Sequence, residues 1–169
     1  MYRLYFAPIP KADRSNRREC ERRAVVTLVR QVFGPDAVLT HNADGAPEVS
    51  THHSGGFSIS HSIDQCVLAV TLKGIIGVDS ETARPQLLRV AGKFINHTES
   101  AYIPQLISTL LQAWTAKEAV YKAALTPGLG LTEITLTPDM RTATARDMIF
   151  TIDYPCLSPT RVTAVALAK

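Results

Sequence analysis

Apolar and polar positions change period several times along the chain, and each change marks an element. Residues 2–7 alternate weakly, as a strand does. From Ser15, a candidate cap, a helix is expected to reach about Phe33, where Gly34-Pro35 stops it. Residues 40–56 are rich in Asn, Asp, Gly, Pro, Ser and His and read as loop, with a turn at Ala43-Asp44-Gly45. Residues 57–60 and 66–73 read as strands, and their short link favours a hairpin. Residues 75–78 form a third short strand ending at Asp79. Pro85 suits the first turn of a helix over 86–95. Pro104 opens a longer helix to about Leu125, closed by Pro127, Gly128 and Gly130. Residues 131–137, 148–154 and 162–168 are three β-branched segments expected to pair antiparallel.

Strands and helices thus alternate in two rounds, which predicts an α+β fold of antiparallel strands and packed helices in two layers. The chain of 169 residues suits one domain or two small halves sharing a core. The division is expected after residue 74, giving an N-terminal half over 1–74 and a C-terminal half over 75–169.

Composition narrows the class. Apolar residues make up 46% and charged residues 20%, ordinary for a globular protein. No apolar run approaches the ~20 residues that span a bilayer. The opening MYRLYFAPIPKADR lacks a signal-peptide pattern, so a cytoplasmic protein is expected. Cys20, Cys66 and Cys156 are scattered, which argues against a disulfide framework and a zinc site. The net charge of +3 is too small to imply nucleic-acid binding. It is uneven, however. Residues 11–30 carry Lys11, Arg14, Arg17, Arg18, Arg22, Arg23 and Arg30 against Asp13, Glu19 and Glu21. That stretch is either a site for an anionic partner or a solvated helix face with local ion pairs.

One carboxylate falls where a helix should be apolar. At about 100° per residue, Ile107, Leu110, Leu111, Trp114, Tyr121 and Leu125 form one stripe of the 106–125 helix. Glu118 falls inside it, about 40° from Trp114. Lys117 and Lys122 lie near its borders. A carboxylate buried there must meet a metal, a cation or water, or be protonated. The plain alternative is an intrahelical pair with Lys122, four residues on.

Two further segments carry chemistry. In Gly77-Val78-Asp79-Ser80-Glu81, two carboxylates two residues apart on a strand point to one side. With Glu118 they would make an oxygen-rich site, the kind that suits Mg²⁺ shared with substrate phosphates; alone they could be an acidic turn. In Phe57-Ser58-Ile59-Ser60-His61-Ser62, a histidine flanked by hydroxyls could donate to phosphate oxygens, or could be a polar turn after an edge strand. His52-His53 reads as loop.

Taken in order, SISHS, GVDSE and WTAKEAVYKA resemble the phosphopantetheinyl transferase superfamily. Its members carry a serine-histidine motif, then G-[IV]-D-x-E, then W-x-x-K-E-A-x-x-K, matched here at Trp114, Lys117, Glu118, Ala119 and Lys122. Phe94 and Glu99 resemble the family's F-x-x-x-x-E stretch. Arg17, Arg18 and Arg23 resemble, more loosely, its basic helix near the coenzyme A 3′-phosphate. A single GVDSE with a separate SISHS looks like a compact member of the surfactin-synthetase-activating, two-half type. Gly45-Ala46-Pro47 departs from that type, which has a basic residue before this proline.

The resemblance implies a monomer that moves the phosphopantetheine arm of coenzyme A to a serine of an acyl- or peptidyl-carrier protein, releasing 3′,5′-ADP. It implies Mg²⁺ on Asp79, Glu81 and Glu118, with Glu118 taking the serine proton and Lys122 serving the leaving group. Arg23, Ser60, His61, Lys117 and Lys122 would contact coenzyme A. Trp114 reads as packing. The carrier could belong to fatty acid, polyketide or nonribosomal peptide synthesis. A non-catalytic module binding coenzyme A or a carrier protein is the rival within the same fold. A nucleic-acid-binding protein is the rival outside it, though the chain has no zinc finger, RNP pair or helix-turn-helix.

Overall fold

A computed structural model describes residues 1–11, 13, 15–51 and 54–169. Arg14 of the basic stretch and the His52-His53 pair lie outside the described residues. No helix among the described residues is long and apolar enough to cross a membrane.

The elements follow one another as β1 (Tyr2–Pro8), α1 (Arg17–Phe33), β2 (Leu39–His41), β3 (Pro47–Val49), β4 (Gly56–His61), β5 (Gln65–Thr71), β6 (Ile76–Thr82), α2 (Gln86–Val90), α3 (Ile107–Ala124), β7 (Ile134–Leu136), β8 (Thr142–Ala145), β9 (Met148–Leu157) and β10 (Arg161–Ala168). They form an α+β fold with antiparallel pairing within every sheet. One sheet has the order β1-β5-β4, a second β6-β10-β9-β8-β7, and β2-β3 is a separate hairpin.

Alternation along the central strands builds the layers. On β5, Cys66 and Leu68 face α1 and its Leu28 and Val29, while Val67 and Ala69 face the other way. On β6, Ile76 and Val78 join Val67, Ala69 and Val165 in a small core between the two sheets. On β10, Val162, Ala164 and Ala166 meet α3 in the largest core. The order is therefore α1, first sheet, second sheet, α3. Cys20, Cys66 and Cys156 are free thiols, and burial pushes Cys66 up to about 12.

The sheets also meet along their edges. Ser58 Oγ accepts the Val78 N–H at 3.0 Å and Ser60 Oγ accepts the Ser80 N–H at 3.3 Å. The two matched pairs advance together, so β4 and β6 run parallel, stitched by side chains. Arg161 of β10 adds a clamp, donating to both oxygens of Asp64 in the β4–β5 turn at 2.6 and 2.7 Å.

Several expectations are corrected. Residues 40–56 are not all loop, because β2 and β3 pair from Leu39↔Val49 to His41↔Pro47. The third strand does not stop at Asp79. It runs to Thr82, held by β10 from Arg161↔Thr82 onward, so both acidic residues sit within a paired strand. Ser15 does not cap α1; Asp13 Oδ1 accepts the N–H groups of Ser15 and Asn16. Residues 131–133 form a 3₁₀ turn before β7.

The stripe assigned to α3 is also corrected. Tyr121 and Leu125 are exposed, and the buried face is made of Ala113, Ala116, Ala119, Val120 and Ala123 with Leu110 and Leu111. Gly77 shows why small residues are needed there. A Cβ on Gly77 would lie 2.0 Å from the Ala119 carbonyl oxygen and 2.7 Å from the Ala123 nitrogen. Helix and strand touch backbone to backbone, so the bulky side chains of α3 are displaced to its flanks.

Candidate active site

That close approach positions the polar groups. Gly77, Asp79 and Glu81 share the α3-facing side of β6 by the period of a strand. Glu118 and Lys122 precede Ala119 and Ala123 by one residue each, one helical turn apart. Packing the glycine on the alanines therefore brings two acidic side chains of β6 opposite a carboxylate and an ammonium of α3.

Asp79 is the hub. Its Oδ1 accepts the Ser60 hydroxyl at 2.7 Å and the Lys122 ammonium at 2.8 Å. Lys122 also donates to the Val78 carbonyl at 3.2 Å. The other oxygen, Oδ2, is buried and has no hydrogen-bond partner among the described residues. Glu118 is half-buried on the facing helix. Burial holds its carboxyl above the ordinary glutamate range, the charge of Asp79 raises it further, Lys122 opposes, Glu81 adds, and Arg84 opposes. The protein thus brings Glu118, Asp79 and Lys122 into one electrostatic cluster.

Glu81 is held at its edge. Arg84 donates to Oε2 at 2.9 Å, and the Trp114 indole N–H makes a long 3.4 Å bond to Oε1. Arg84 also lies over the Trp114 ring. Trp114 packs edge-on against Phe94 as expected, and in addition orients an acidic side chain. Among the described residues, no three His, Cys, Asp or Glu side chains converge as a ready-made metal cage.

A cavity of about 420 Å³ adjoins the cluster, within the range of small-molecule sites. Its walls come from the β2–β3 hairpin, β4, α3 and Val25 of α1. Lys122 belongs both to this wall and to the Asp79 cluster, and His61 is exposed on the same wall.

Three expected contacts are not brought to the cavity. Lys117 is fully buried, its ammonium ringed by the carbonyls of Phe94, Ile134 and Leu131 and by Glu99 Oε2, at 2.5, 2.6, 3.2 and 2.5 Å. Burial pulls that ammonium below the ordinary lysine value and the Glu99 charge pulls it back. It is a core fixture that ties α3 to the 94–99 stretch and to β7, so the expectation of a phosphate contact is corrected. Ser60 donates its hydroxyl hydrogen bond to Asp79 and is buried, so in this structure it orients Asp79 and does not face the cavity. Arg23 is exposed on α1 and bonded to Glu19 at 2.7 Å, away from the wall that Val25 contributes.

Three of the five arginines of α1 share its two glutamates, which leaves the helix net basic. Arg17 pairs with Glu21, and Arg22 and Arg23 pair with Glu19, whose carboxyl they hold down at about 2. The solvated-face reading describes that part of α1.

Sequence reasoning missed Gly77, Ser58, Arg84 and the β2–β3 hairpin. Gly77 alone had a signal, since an isolated glycine in an apolar strand marks close backbone approach.

An α+β chain with strand-borne acids set against a helix-borne glutamate and lysine, beside a cavity, defines the class. The family model described as the 4′-phosphopantetheinyl transferase superfamily matches residues 75–161, just over half of the 169. The chain belongs to that superfamily, whose general activity is phosphopantetheinyl transfer. The match covers Asp79, Glu81, Glu118 and Lys122 and leaves out β4 with Ser60 and His61. No curated protein matches the chain.

Proposed function

We propose that this chain moves the 4′-phosphopantetheine arm of coenzyme A to a serine of an apo acyl- or peptidyl-carrier protein, with Mg²⁺ on Asp79, Glu81 and Glu118. The observation that carries the reading is the Asp79 carboxylate. One oxygen is saturated by Ser60 and Lys122, and the other is buried with no donor among the described residues. Leaving such an oxygen unsatisfied costs on the order of 1–3 kcal/mol. A divalent cation relieves that cost, and a donor set of carboxylate oxygens suits Mg²⁺. When bound, the ion would supply neutralising charge for the pyrophosphate.

The chain's own residues do the rest. The carrier serine Oγ bonds to the phosphorus of the pantetheine phosphate, and the bond from that phosphorus to the oxygen of 3′,5′-ADP breaks. Glu118 takes the serine proton. Its raised affinity for a proton, from burial and from Asp79, suits it to this role. Lys122 spans cluster and cavity, so its ammonium meets charge developing on the departing 3′,5′-ADP. Trp114 and Arg84 keep Glu81 oriented at the rim.

The test mixes the protein with coenzyme A, Mg²⁺ and apo-carriers of fatty acid, polyketide and peptide synthesis, then weighs the carriers. The expected result is a mass gain of one phosphopantetheine on at least one carrier, abolished by chelator and by Glu118→Ala in a folded protein. Full turnover in excess chelator removes the metal, and turnover by the variant removes Glu118. One observation favours a module that binds coenzyme A without transfer: Glu81 is engaged by Arg84. That reading predicts coenzyme A binding with no mass change on any carrier.

A further inference from the structure

We propose that Ser80 is a positioning residue: it holds the carboxylates of Asp79 and Glu81, on either side of it, in the arrangement that binds Mg²⁺. The inference rests on the transfer reading above and adds to it what sets the metal affinity. Alternation puts every second residue of β5, β6 and β10 into the layer between the sheets. Two rows of that layer are apolar: Ala69 and Val67 on β5, Ile76 and Val78 on β6, Leu167 and Val165 on β10. The next such position on each strand is polar, and the three side chains meet. The Gln65 amide donates to Ser80 Oγ at 3.0 Å, and Ser80 Oγ shares a 3.0 Å hydrogen bond with Thr163 Oγ1. Ser80 and Thr163 are fully buried.

Apolar side chains would fill this row as they fill the other two, without the cost of burying polar groups. What they lack is direction, and a satisfied buried network supplies it. Ser80 is held through side chain and backbone alike. Its N–H donates to Ser60 Oγ at 3.3 Å, and the Ser60 hydroxyl donates to Asp79 Oδ1 at 2.7 Å. The bonds thus run from β5 and β10 through Ser80 and Ser60 to a proposed metal ligand. Backbone pairing is weakest at this level. The β9–β10 register shifts between Thr163 and Val165, and the residue between them, Ala164, is the β10 partner of Asp79. Such a shift bends and twists a strand. The Thr163–Ser80 bond pins β10 to β6 beside it. Ser80 is not part of the cavity wall, so it acts through its neighbours.

Two measurements on the full-length protein test this. Mg²⁺ is titrated calorimetrically in excess coenzyme A, and the urea midpoint is taken separately in chelator. Ser80→Ala is expected to weaken Mg²⁺ binding by at least about tenfold, the smaller end of what losing an outer partner costs a metal site. Thr163→Val, which removes one bond to Ser80, is expected to weaken it by less, and Thr163→Ser, which keeps the hydroxyl, to restore it. Val67→Ala, in an apolar row, is expected to lower the urea midpoint and leave Mg²⁺ affinity unchanged. A Ser80→Ala protein with wild-type Mg²⁺ affinity overturns the inference. So does a Val67→Ala protein whose affinity falls as far, because general loosening of the layer would then be the cause. If Ser80→Ala does not fold, the Thr163 variants decide: equal Mg²⁺ affinity in Thr163→Val and Thr163→Ser overturns the inference, and a loss confined to Thr163→Val supports it. A wild-type protein that binds no Mg²⁺ overturns the metal reading itself, and the inference falls with it.

Discussion

Replacing Gly77 with alanine tests whether the glycine–alanine contact sets the site. The new Cβ would lie 2.0 Å from the Ala119 carbonyl oxygen, 2.7 Å from the Ala123 nitrogen and 3.0 Å from the Ala123 Cβ, against 3.4 Å or more for an ordinary contact. The two nearest atoms are backbone, so no rotamer change relieves them. Helix α3 must retreat from β6 by roughly 1.4 Å, the difference between 2.0 Å and an ordinary contact. Overpacking of this kind costs about 1–3 kcal/mol, of which the smaller entropy of an unfolded alanine returns about 0.4–1. The same retreat stretches the 2.8 Å bond from Lys122 to Asp79 beyond hydrogen-bond range and moves Glu118 with it. Misplacement of about 1 Å at reacting groups costs on the order of 10²-fold in rate. Two assays follow the two effects: the urea midpoint, and the rate of carrier mass gain. The expected result is a lower midpoint and a rate down about 10²-fold. Gly92→Ala is the control, because nothing lies within 4 Å of its added Cβ, and it should shift stability by less than about 0.5 kcal/mol. A Gly77→Ala protein with unchanged midpoint and rate would refute the claim that this contact holds the cluster together.

Glu118→Gln should remove transfer yet stabilise the metal-free protein at neutral pH. Glu118 has a raised carboxyl in the folded state, so its share of stability is complete below the ordinary glutamate value and is lost as pH rises through the folded value. Glutamine does not titrate, and a gain of about 0.5–2 kcal/mol at pH 7, absent at pH 4, is expected from denaturation curves. Lys117→Met strands Glu99 as an unpaired, fully buried carboxylate and should cost about 3–5 kcal/mol by urea titration. Adding Glu99→Gln removes the stranded charge and keeps an acceptor for one of the two N–H groups, Asn96 on Oε2 or Leu136 on Oε1, and should recover part of that loss. Mg²⁺ should raise the thermal midpoint of the wild type, by about 2.7 kcal/mol of stability at a hundredfold excess over Kd. Asp79→Asn should abolish that rise; an undiminished rise would place the ion elsewhere.

Much of this was written in local pattern. The β4–β5 hairpin follows from two β-rich runs with a short link, and α1 from a helical stretch closed by Gly34-Pro35. That Asp79 and Glu81 share a face follows from the period of a strand, and that Glu118 and Lys122 share one follows from the period of a helix. These are relations between neighbours along one element, and the chain's own geometry fixes them. The resemblance carried by GVDSE and WTAKEAVYKA is a resemblance of such local arrangements.

The azimuth of an element is decided by what it packs on. An i, i+4 spacing does not say which way the pair points, and apolar bulk misled the reading of α3 because its inner face is lined largely by alanines against Gly77. Only that packing turned Lys117 inward to Glu99 and left Lys122 at the cavity, though the two lysines look alike in sequence. Only the meeting of two sheet edges made Ser58 and Ser60 into acceptors for β6. Short strands such as β2, β3 and β8 lack enough residues to show a period, and cross-strand partners are what hold them. Sequence determined which groups travel together on an element; long-range contact decided which of them meet.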